Sequence, residues 1–182
     1  MNIAQQKTSR LEFTIQPLAD DQVTQYKALR LQALQLHPDA FLEKPEAFDM
    51  KSIETITSLM QTARENGGVT LIAKNTNGEF VGTASLAIGS PEKLAHRGLV
   101  WGVYVTPESR GNGLARKLME AIIEIAKKNP AIKNLRLAVV CSNKGAVDLY
   151  TSLGFSVYGT DRDALNVNGS YLDEYLMSKK LK

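Results

Sequence analysis

The chain has 182 residues, 43% of them hydrophobic and 23% charged, which is typical of a single globular domain with a buried core. Its formal net charge of +3 is too small to indicate a nucleic-acid-binding protein. The lone cysteine, Cys141, excludes an intrachain disulfide and a zinc site made of several cysteines.

The organisation of the chain is predicted to be simple. The N-terminal stretch is polar, and no apolar run approaches the length that spans a bilayer, so a cytoplasmic protein without a membrane partner is predicted. Residues 1–9 are predicted to form a flexible tail, because polar terminal residues are poorly ordered unless another element holds them. Residues 10–182 contain no linker or internal repeat and are predicted to form one domain.

The first predicted elements are a strand and two helices. Apolar and polar residues alternate over residues 11–15, which indicates a strand. Asp20 or Asp21 is predicted to cap the first helix, and Pro38 to end it. The second helix is predicted to stop at Gly67-Gly68. Its apolar residues at helical spacing are Ile53, Ile56, Leu59, Met60 and Ala63.

Three strands are predicted next. Residues 69–73 and 80–88 are separated by Asn77-Gly78, a pair that favours a hairpin with a type I′ turn. Residues 99–105 are nearly all apolar, which indicates a strand buried on both faces.

The rest of the chain predicts a strand–helix–strand unit and a final pair of strands. The predicted elements are a helix (residues 114–128), a strand (135–140), a short helix (143–153) and two antiparallel strands (155–160 and 171–177). If the strands on either side of the long helix share a sheet, they run parallel. Ligands of such sheets bind at the carboxyl ends of the parallel strands, beside helix N-termini.

A glycine-rich turn occupies that position in the sequence. Arg110-Gly111-Asn112-Gly113 links the strand that ends at Val105 to the helix that begins near Leu114. A helix N-terminus offers unpaired N–H groups and a partial positive charge, and glycine lets a phosphate approach the backbone. The turn lacks the lysine of a P-loop and the third glycine of a Rossmann turn. It is either a site for another phosphate-bearing ligand or a turn that uses glycine for its geometry alone.

A second segment, residues 143–155 (NKGAVDLYTSLGF), follows the next predicted strand. Together the two segments resemble the GNAT superfamily of acyl-CoA-dependent N-acetyltransferases. The first matches the pattern [RQ]-x-x-G-x-[GA] at Arg110, Gly113 and Ala115. The second matches N-x-x-A-x-x-L-Y-x-x-x-G-F at Asn143, Ala146, Leu149, Tyr150, Gly154 and Phe155. P-[ED]-A-F and W-G-x-Y-V stretches resemble a bacterial branch of this superfamily.

The resemblance implies a mixed α+β fold, with a mostly antiparallel sheet of about seven strands, a splayed parallel pair and about four helices. It also implies that acetyl-CoA binds between the parallel strands as an additional strand would. The implied donor contacts are Val103, Tyr104, Val105, Arg110, Gly111, Asn112, Gly113, Leu114, Ala115, Arg116, Asn143 and Tyr150. Lys117 and Lys144 are further candidates for the outer phosphate of the nucleotide.

The resemblance implies direct attack of an amine on the thioester carbonyl, without a metal. The Val105 N–H would stabilise the oxyanion, and Tyr150 would protonate the leaving thiolate. Trp101 occupies the strand position where many members have a glutamate base. A water relay is therefore predicted, and the candidates for its end are His96, Glu43 and Glu46. Trp101 and His96 are predicted to contact the acceptor.

The acceptor is an amine whose identity the sequence does not specify, and a homodimer is left open. Two other functions stay open. The first is a catalytically silent acyl-CoA-binding domain that acts through protein interactions. The second is nucleic-acid binding through Arg116, Lys117, Lys127 and Lys128, which the lack of interleaved aromatic residues disfavours. No nucleic-acid partner is predicted.

Overall fold

The described residues form a seven-stranded sheet with five α-helices. The computed structural model describes residues 12–89 and 91–181, so the predicted tail (residues 1–9) lies outside the described residues. The strands are β1 (Thr14–Pro17), β2 (Val69–Lys74), β3 (Phe80–Ile88), β4 (Arg97–Val105), β5 (Asn134–Val140), β6 (Ser156–Val167) and β7 (Ser170–Lys180). The helices are α1 (Val23–Leu36), α2 (Pro45–Asp49), α3 (Ile53–Glu65), α4 (Leu114–Lys128) and α5 (Lys144–Ser152). The predicted mixed fold is confirmed, with five helices rather than about four.

The sheet has the strand order β1-β2-β3-β4-β5-β7-β6. All its neighbouring strands are antiparallel except β4 and β5, which are joined through α4 and run parallel. The predicted parallel pair is therefore confirmed. It lies in the middle of the sheet, with α4 beginning directly after the carboxyl end of β4.

Each face of the sheet has its own hydrophobic core. Residues of α4 and α5 pack on one face, where the core includes Leu118 and Ile122 of α4 and Leu135 of β5. Residues of α1, α2 and α3 pack on the other face, where Ile72 of β2 belongs to the core. The neighbours of Ile72 on the strand, Leu71 and Ala73, belong to the α4 core, because successive side chains of a strand point to opposite faces.

The helix bounds match the predictions where a long apolar stripe exists. The bounds of α4 are as predicted, while α1 begins at Val23, after a short 3₁₀ turn. The N-cap residue of α1 is Gln22, so the prediction that Asp20 or Asp21 caps it is wrong. The Asp20 carboxylate instead binds Arg64 and Gln61 of α3. The five-residue helix α2 is too short to have a helical repeat in sequence. None of the described helices is both long enough and apolar enough to cross a membrane.

The Asn-Gly pairs in the two β-hairpins form different turns. The β2–β3 hairpin is confirmed, but the predicted type I′ turn is wrong, because only Gly78 has a positive φ (81°). The Asn75 carbonyl accepts the Gly78 N–H (3.0 Å), which makes a type I turn followed by a left-handed glycine. In the β6–β7 hairpin both Asn168 and Gly169 have positive φ, as a type I′ turn requires.

Candidate active site

The parallel strands β4 and β5 separate soon after they pair. Their register covers three residue pairs, from Arg97 with Asn134 to Leu99 with Arg136. Beyond Leu99 each strand is paired only on its outer side, with β3 or β7. Leu99, in the last of these pairs, is 48% exposed, so the prediction that residues 99–105 are buried on both faces is wrong.

A bulge lies in the part of β4 that borders the gap. Two residues of β4, Gly102 and Val103, lie opposite the single β3 residue Ala84. Gly102 has a φ of +64°, the left-handed conformation that glycine adopts most readily. Because of the extra residue, the side chains that follow it lie on the opposite faces of the sheet from those that simple alternation would give.

The separated strands border a cavity of about 980 Å³. This volume is at the upper end of the roughly 300–1,000 Å³ of typical small-molecule sites. Its donor half, which we define by Val103, Val105, Ala115, Asn143 and Tyr150, lies toward α4 and α5. Its acceptor half lies toward α1 and the segment after it, and is defined by Arg30, Phe41, Glu43, Trp101, Tyr104 and Glu174.

In the donor half, β4 offers main-chain groups to a ligand. The Thr106 N–H donates to the Val81 carbonyl of β3 (2.9 Å), and the Tyr104 carbonyl also lies on the β3 side. Because the hydrogen-bonding groups of successive strand residues alternate in direction, those of Val103 and Val105 point into the gap. The Val105 carbonyl accepts a hydrogen bond from Arg110 Nε (3.0 Å). Of the two main-chain groups of Val105, the N–H is therefore the one available to a ligand.

The glycine-rich turn places the N-terminus of α4 beside this edge. Gly111 and Gly113 have φ angles of 77° and 75°, and a Cβ atom on either residue would meet no other atom within 4 Å. The positive φ angles show that the turn uses glycine for its geometry, and its outer side is open, so the phosphate site stays a prediction. The first hydrogen bond of α4 runs from the Lys117 N–H to the Gly113 carbonyl (3.1 Å). The N–H groups of residues 114–116 thus have no acceptor within the helix.

The polar side chains of the turn are engaged by the protein. Arg110 Nη2 lies 2.7 Å from His37 Nε2, so its guanidinium turns toward the cavity rim. Arg116 Nη2 donates to Ser152 Oγ of α5 (2.6 Å), and the Asn112 amide donates to the Arg110 carbonyl (3.0 Å). The groups of this turn that face outward without a partner inside α4 are its first N–H groups, and the arginines add positive charge around them.

Helix α5 positions Tyr150 against the donor half. Asn143 caps the helix, since its Oδ1 accepts the Ala146 N–H (3.2 Å), and only its amide nitrogen is left to contact a ligand. Tyr150 is 8% exposed and lies 6.1 Å from Phe155 between ring centroids. Burial raises the pKa of Tyr150 to about 12, so the hydroxyl stays protonated and can donate a proton at neutral pH.

The acceptor half contains charged residues that the motifs do not identify. Arg30, on the apolar face of α1, lies over the rings of Phe41 and Trp101. Glu43 is hydrogen-bonded to Lys51. Glu174 of β7 is half-buried, and burial, followed by the nearby Asp161, raises the pKa of its carboxyl above the ordinary value. An arginine within the apolar stripe of a helix is the one signal that sequence inspection offers for Arg30.

Two of the sequence candidates lie away from the cavity. His96 precedes β4 at the closed end of the parallel pair, and its Nε2 accepts a hydrogen bond from Arg97 Nε (3.3 Å). Glu46 is exposed on α2. Neither residue lines the cavity. Glu43, the other candidate for the end of the relay, does line it, and so does Trp101, the other predicted acceptor contact. Of the described residues, none form a cluster of three or more His, Cys, Asp or Glu suited to a metal ion.

Comparison with known proteins agrees with this geometry. Residues 31–155, more than half of the chain, match the model of the acetyltransferase (GNAT) family. The L-amino acid N-acetyltransferase AaaT of Escherichia coli (strain K12) is 25% identical over 112 residues, 62% of this chain and 68% of that protein. L-methionine sulfoximine/L-methionine sulfone acetyltransferase of Pseudomonas aeruginosa is 31% identical over 120 residues, 66% of this chain and 69% of that protein.

A solved structure extends the likeness to almost the whole fold. A Salmonella typhimurium protein, solved with its cofactor acetyl-CoA, has a TM-score of 0.82 at 22% identity and covers 94% of this chain and 95% of its own. The family match confirms the predicted enzyme class. The chain belongs to the acetyltransferase (GNAT) family, and its reaction is acetyl transfer from acetyl-CoA to an amine.

Proposed function

We propose that this chain acetylates the primary amine of a small molecule by direct attack, with both substrates bound in the one cavity. The observation that carries the proposal is the gap after Leu99, which joins a donor half to a separate acceptor half. A cavity with two such halves can hold the thioester and the amine together. Holding the two reactants in one site removes much of the entropic cost of their encounter.

The donor half fits acetyl-CoA. The open edge of β4 can pair with an extended pantetheine arm through the main chain of Val103 and Val105. The N–H groups at the start of α4 can donate hydrogen bonds to the pyrophosphate, for which the open space outside Gly111 and Gly113 leaves room. When bound, acetyl-CoA supplies the thioester carbonyl that the amine attacks. These contacts are the ones that the sequence motifs imply.

Two groups of the chain would assist the chemistry. The Val105 N–H, which points into the gap, stabilises the negative charge that develops on the carbonyl oxygen. Tyr150 donates its proton to the sulfur as the carbon–sulfur bond breaks and the new carbon–nitrogen bond forms. Because burial keeps the Tyr150 hydroxyl protonated, this proton is present throughout the physiological pH range.

Glu174 is the proposed proton acceptor for the attacking amine. It lines the acceptor half, and its carboxylate is not held by a lysine as that of Glu43 is. Burial and the charge of Asp161 raise its pKa, which makes the carboxylate a better base than an ordinary glutamate. The base would thus come from β7 rather than from the position of Trp101 on β4.

Replacement of Glu174 by glutamine is expected to lower the turnover of an α-amine by about tenfold at pH 7. The α-amine of a peptide, with a reference pKa of 7.7–8.0, is roughly 10% neutral at that pH, so its neutral fraction can react without a base. The loss should therefore shrink toward pH 9, where most of the amine is neutral. The measurement is kcat at saturating substrates from pH 6 to 9.

The matched control is Glu46→Gln, which removes a carboxylate outside the cavity and should keep the native pH profile. In the native enzyme, kcat should fall with decreasing pH as the Glu174 carboxyl becomes protonated, above the pH at which an ordinary glutamate would. A pH-independent loss in Glu174→Gln would contradict the assignment.

The proposed function itself is tested by an acceptor screen. The E. coli relative is named for L-amino acids and the Pseudomonas relative for L-methionine sulfoximine and sulfone, so such compounds lead the panel. Polyamines, aminoglycosides and N-terminal peptides complete it. We expect amine-dependent thiol release and an acetylated product by mass spectrometry. Acetyl-CoA binding without transfer to any amine would favour the silent acyl-CoA-binding domain.

A further inference from the structure

Arg30 is a buried charge that the proposed chemistry of the thioester does not use. It lies on α1 one helical turn after Tyr26 and is 6% exposed. Its Cζ atom is 4.4 Å from the ring centroid of Phe41 and 5.9 Å from that of Trp101. The guanidinium therefore lies against two aromatic rings in the wall of the acceptor half.

Among the described residues Arg30 forms no ion pair, although the Glu43 carboxylate is close enough to interact with its charge. Within the parts of the chain that the structure describes, Arg30 Nη1 has no hydrogen-bond partner, and none of the ion pairs includes Arg30. The nearby carboxylate of Glu43 is bound to Lys51 instead. A buried charge without an ion-pair partner destabilises the fold. A role in folding alone therefore does not explain why an arginine stands at this position.

Arg30 also lies close to where the reaction must occur. A Cβ atom on Gly102 would be 3.8 Å from Arg30 Nη1, so the guanidinium lies over the bulge of β4. This bulge borders the gap that would receive the thioester, which opens after Leu99. An acceptor held by Arg30 thus has its other end within a few ångströms of the gap.

The charges around Arg30 indicate what such an acceptor carries. Asp39 and Glu174 line the same cavity, have no lysine partner within the described ranges and attract an ammonium group. Arg30 attracts a carboxylate, for which its planar fork of N–H donors is suited. A polyamine would satisfy the acidic residues but would place positive charge against Arg30. A molecule with one carboxylate and one amine satisfies both.

We propose that Arg30 binds the carboxylate of the acceptor, so that the substrates of this enzyme are free amino acids presented with the carboxylate over Gly102 and the amine toward the gap. The inference rests on the proposed function and specifies the acceptor class of the same site. It predicts that a free carboxylate on the acceptor is required for tight binding. The side chain of the amino acid would extend toward Phe41 and the cavity mouth.

Equilibrium binding tests this without turnover, because Trp101 is the single tryptophan of the chain and adjoins Arg30. L-methionine, L-glutamine and L-lysine are titrated against tryptophan fluorescence beside their carboxamides, in the presence of CoA. We expect at least one acid to bind about ten- to a hundredfold more tightly than its amide, the usual range for charge-assisted hydrogen bonds. In Arg30→Met the acid and its amide should bind equally.

The control is Arg136→Met, which removes an arginine whose Nε is buried without a partner but which does not line the cavity, and it should keep the preference. The thermal midpoint of Arg30→Met should equal or exceed the native value, because an unpaired buried charge is lost. A lower midpoint with no change in preference would show a structural role and overturn the proposal. Equal binding of acids and amides by the native protein, or no binding of any acid, would overturn it as well.

The two proposals fail in different ways. Acetylation of amines that lack a carboxylate, with no preference for acids, would leave the proposed function intact and overturn the role of Arg30. Carboxylate-dependent binding without acetyl transfer would support the Arg30 site and contradict the proposed function.

Discussion

Replacement of Gly113 by aspartate is expected to weaken acetyl-CoA binding on the order of a thousandfold. The new carboxylate would extend into the open space outside the turn, where the N-terminus of α4 would otherwise bind a pyrophosphate. At a separation of about 4 Å, two like charges near a protein surface repel by about 4 kcal/mol, which corresponds to about three orders of magnitude in the dissociation constant. Isothermal titration calorimetry with acetyl-CoA measures the change.

Two variants separate the charge from the backbone. Gly113→Asn has the same shape without the charge, and asparagine tolerates positive φ, so most of the affinity should be retained. Gly78→Asp adds the same residue at a glycine with a φ of +81° and open surroundings, in a hairpin away from the cavity. Gly78→Asp should lower the stability of the protein by a similar amount and leave its affinity for acetyl-CoA unchanged. Equal losses in Gly113→Asp and Gly113→Asn would show that geometry, not charge, decides binding.

The parts of the fold that local sequence determines could be predicted. Helix α4 has the predicted bounds because its apolar residues recur at helical spacing over four turns and glycine precedes it. Helix α2 could not be predicted, since five residues are too few for a period. The Asn77-Gly78 turn shows the same limit, because the type of turn depended on the hydrogen bonds of Asn75 rather than on the dipeptide.

The two halves of the candidate site also differ in how far the sequence predicts them. The donor half consists of main-chain groups and a helix N-terminus, whose glycines and caps form contiguous motifs, so residues such as Gly113 and Tyr150 could be named from the sequence. The acceptor half consists of side chains from α1, β4 and β7 that only the fold brings together. Arg30 and Glu174 are 144 positions apart and belong to no motif. The donor was therefore predictable, whereas in the acceptor half only Trp101 and Glu43 were named from the sequence for an acceptor or relay role.

Replacement of Tyr150 by phenylalanine is expected to lower kcat by about a hundredfold with little change in the affinity for acetyl-CoA. General acid catalysis contributes roughly 10²–10⁴ in rate, and the lower end applies here because a thiol with a pKa near 8.5 also leaves as the thiolate. Tyr150 lies in the α4 core, so phenylalanine keeps the packing against Phe155 and the loss should not reflect unfolding. Steady-state kinetics with calorimetric binding of acetyl-CoA measure both quantities.

The control for this variant is Tyr175→Phe, in a partly buried tyrosine that packs against the same core but does not line the cavity. It should retain native turnover, so that a loss confined to Tyr150→Phe can be assigned to a hydroxyl in the site. Because the pKa of Tyr150 is about 12, the native rate should show no loss from tyrosine ionisation up to about pH 10. Turnover of Tyr150→Phe within threefold of native would mean that Tyr150 packs without donating a proton, and that the thiolate leaves unassisted.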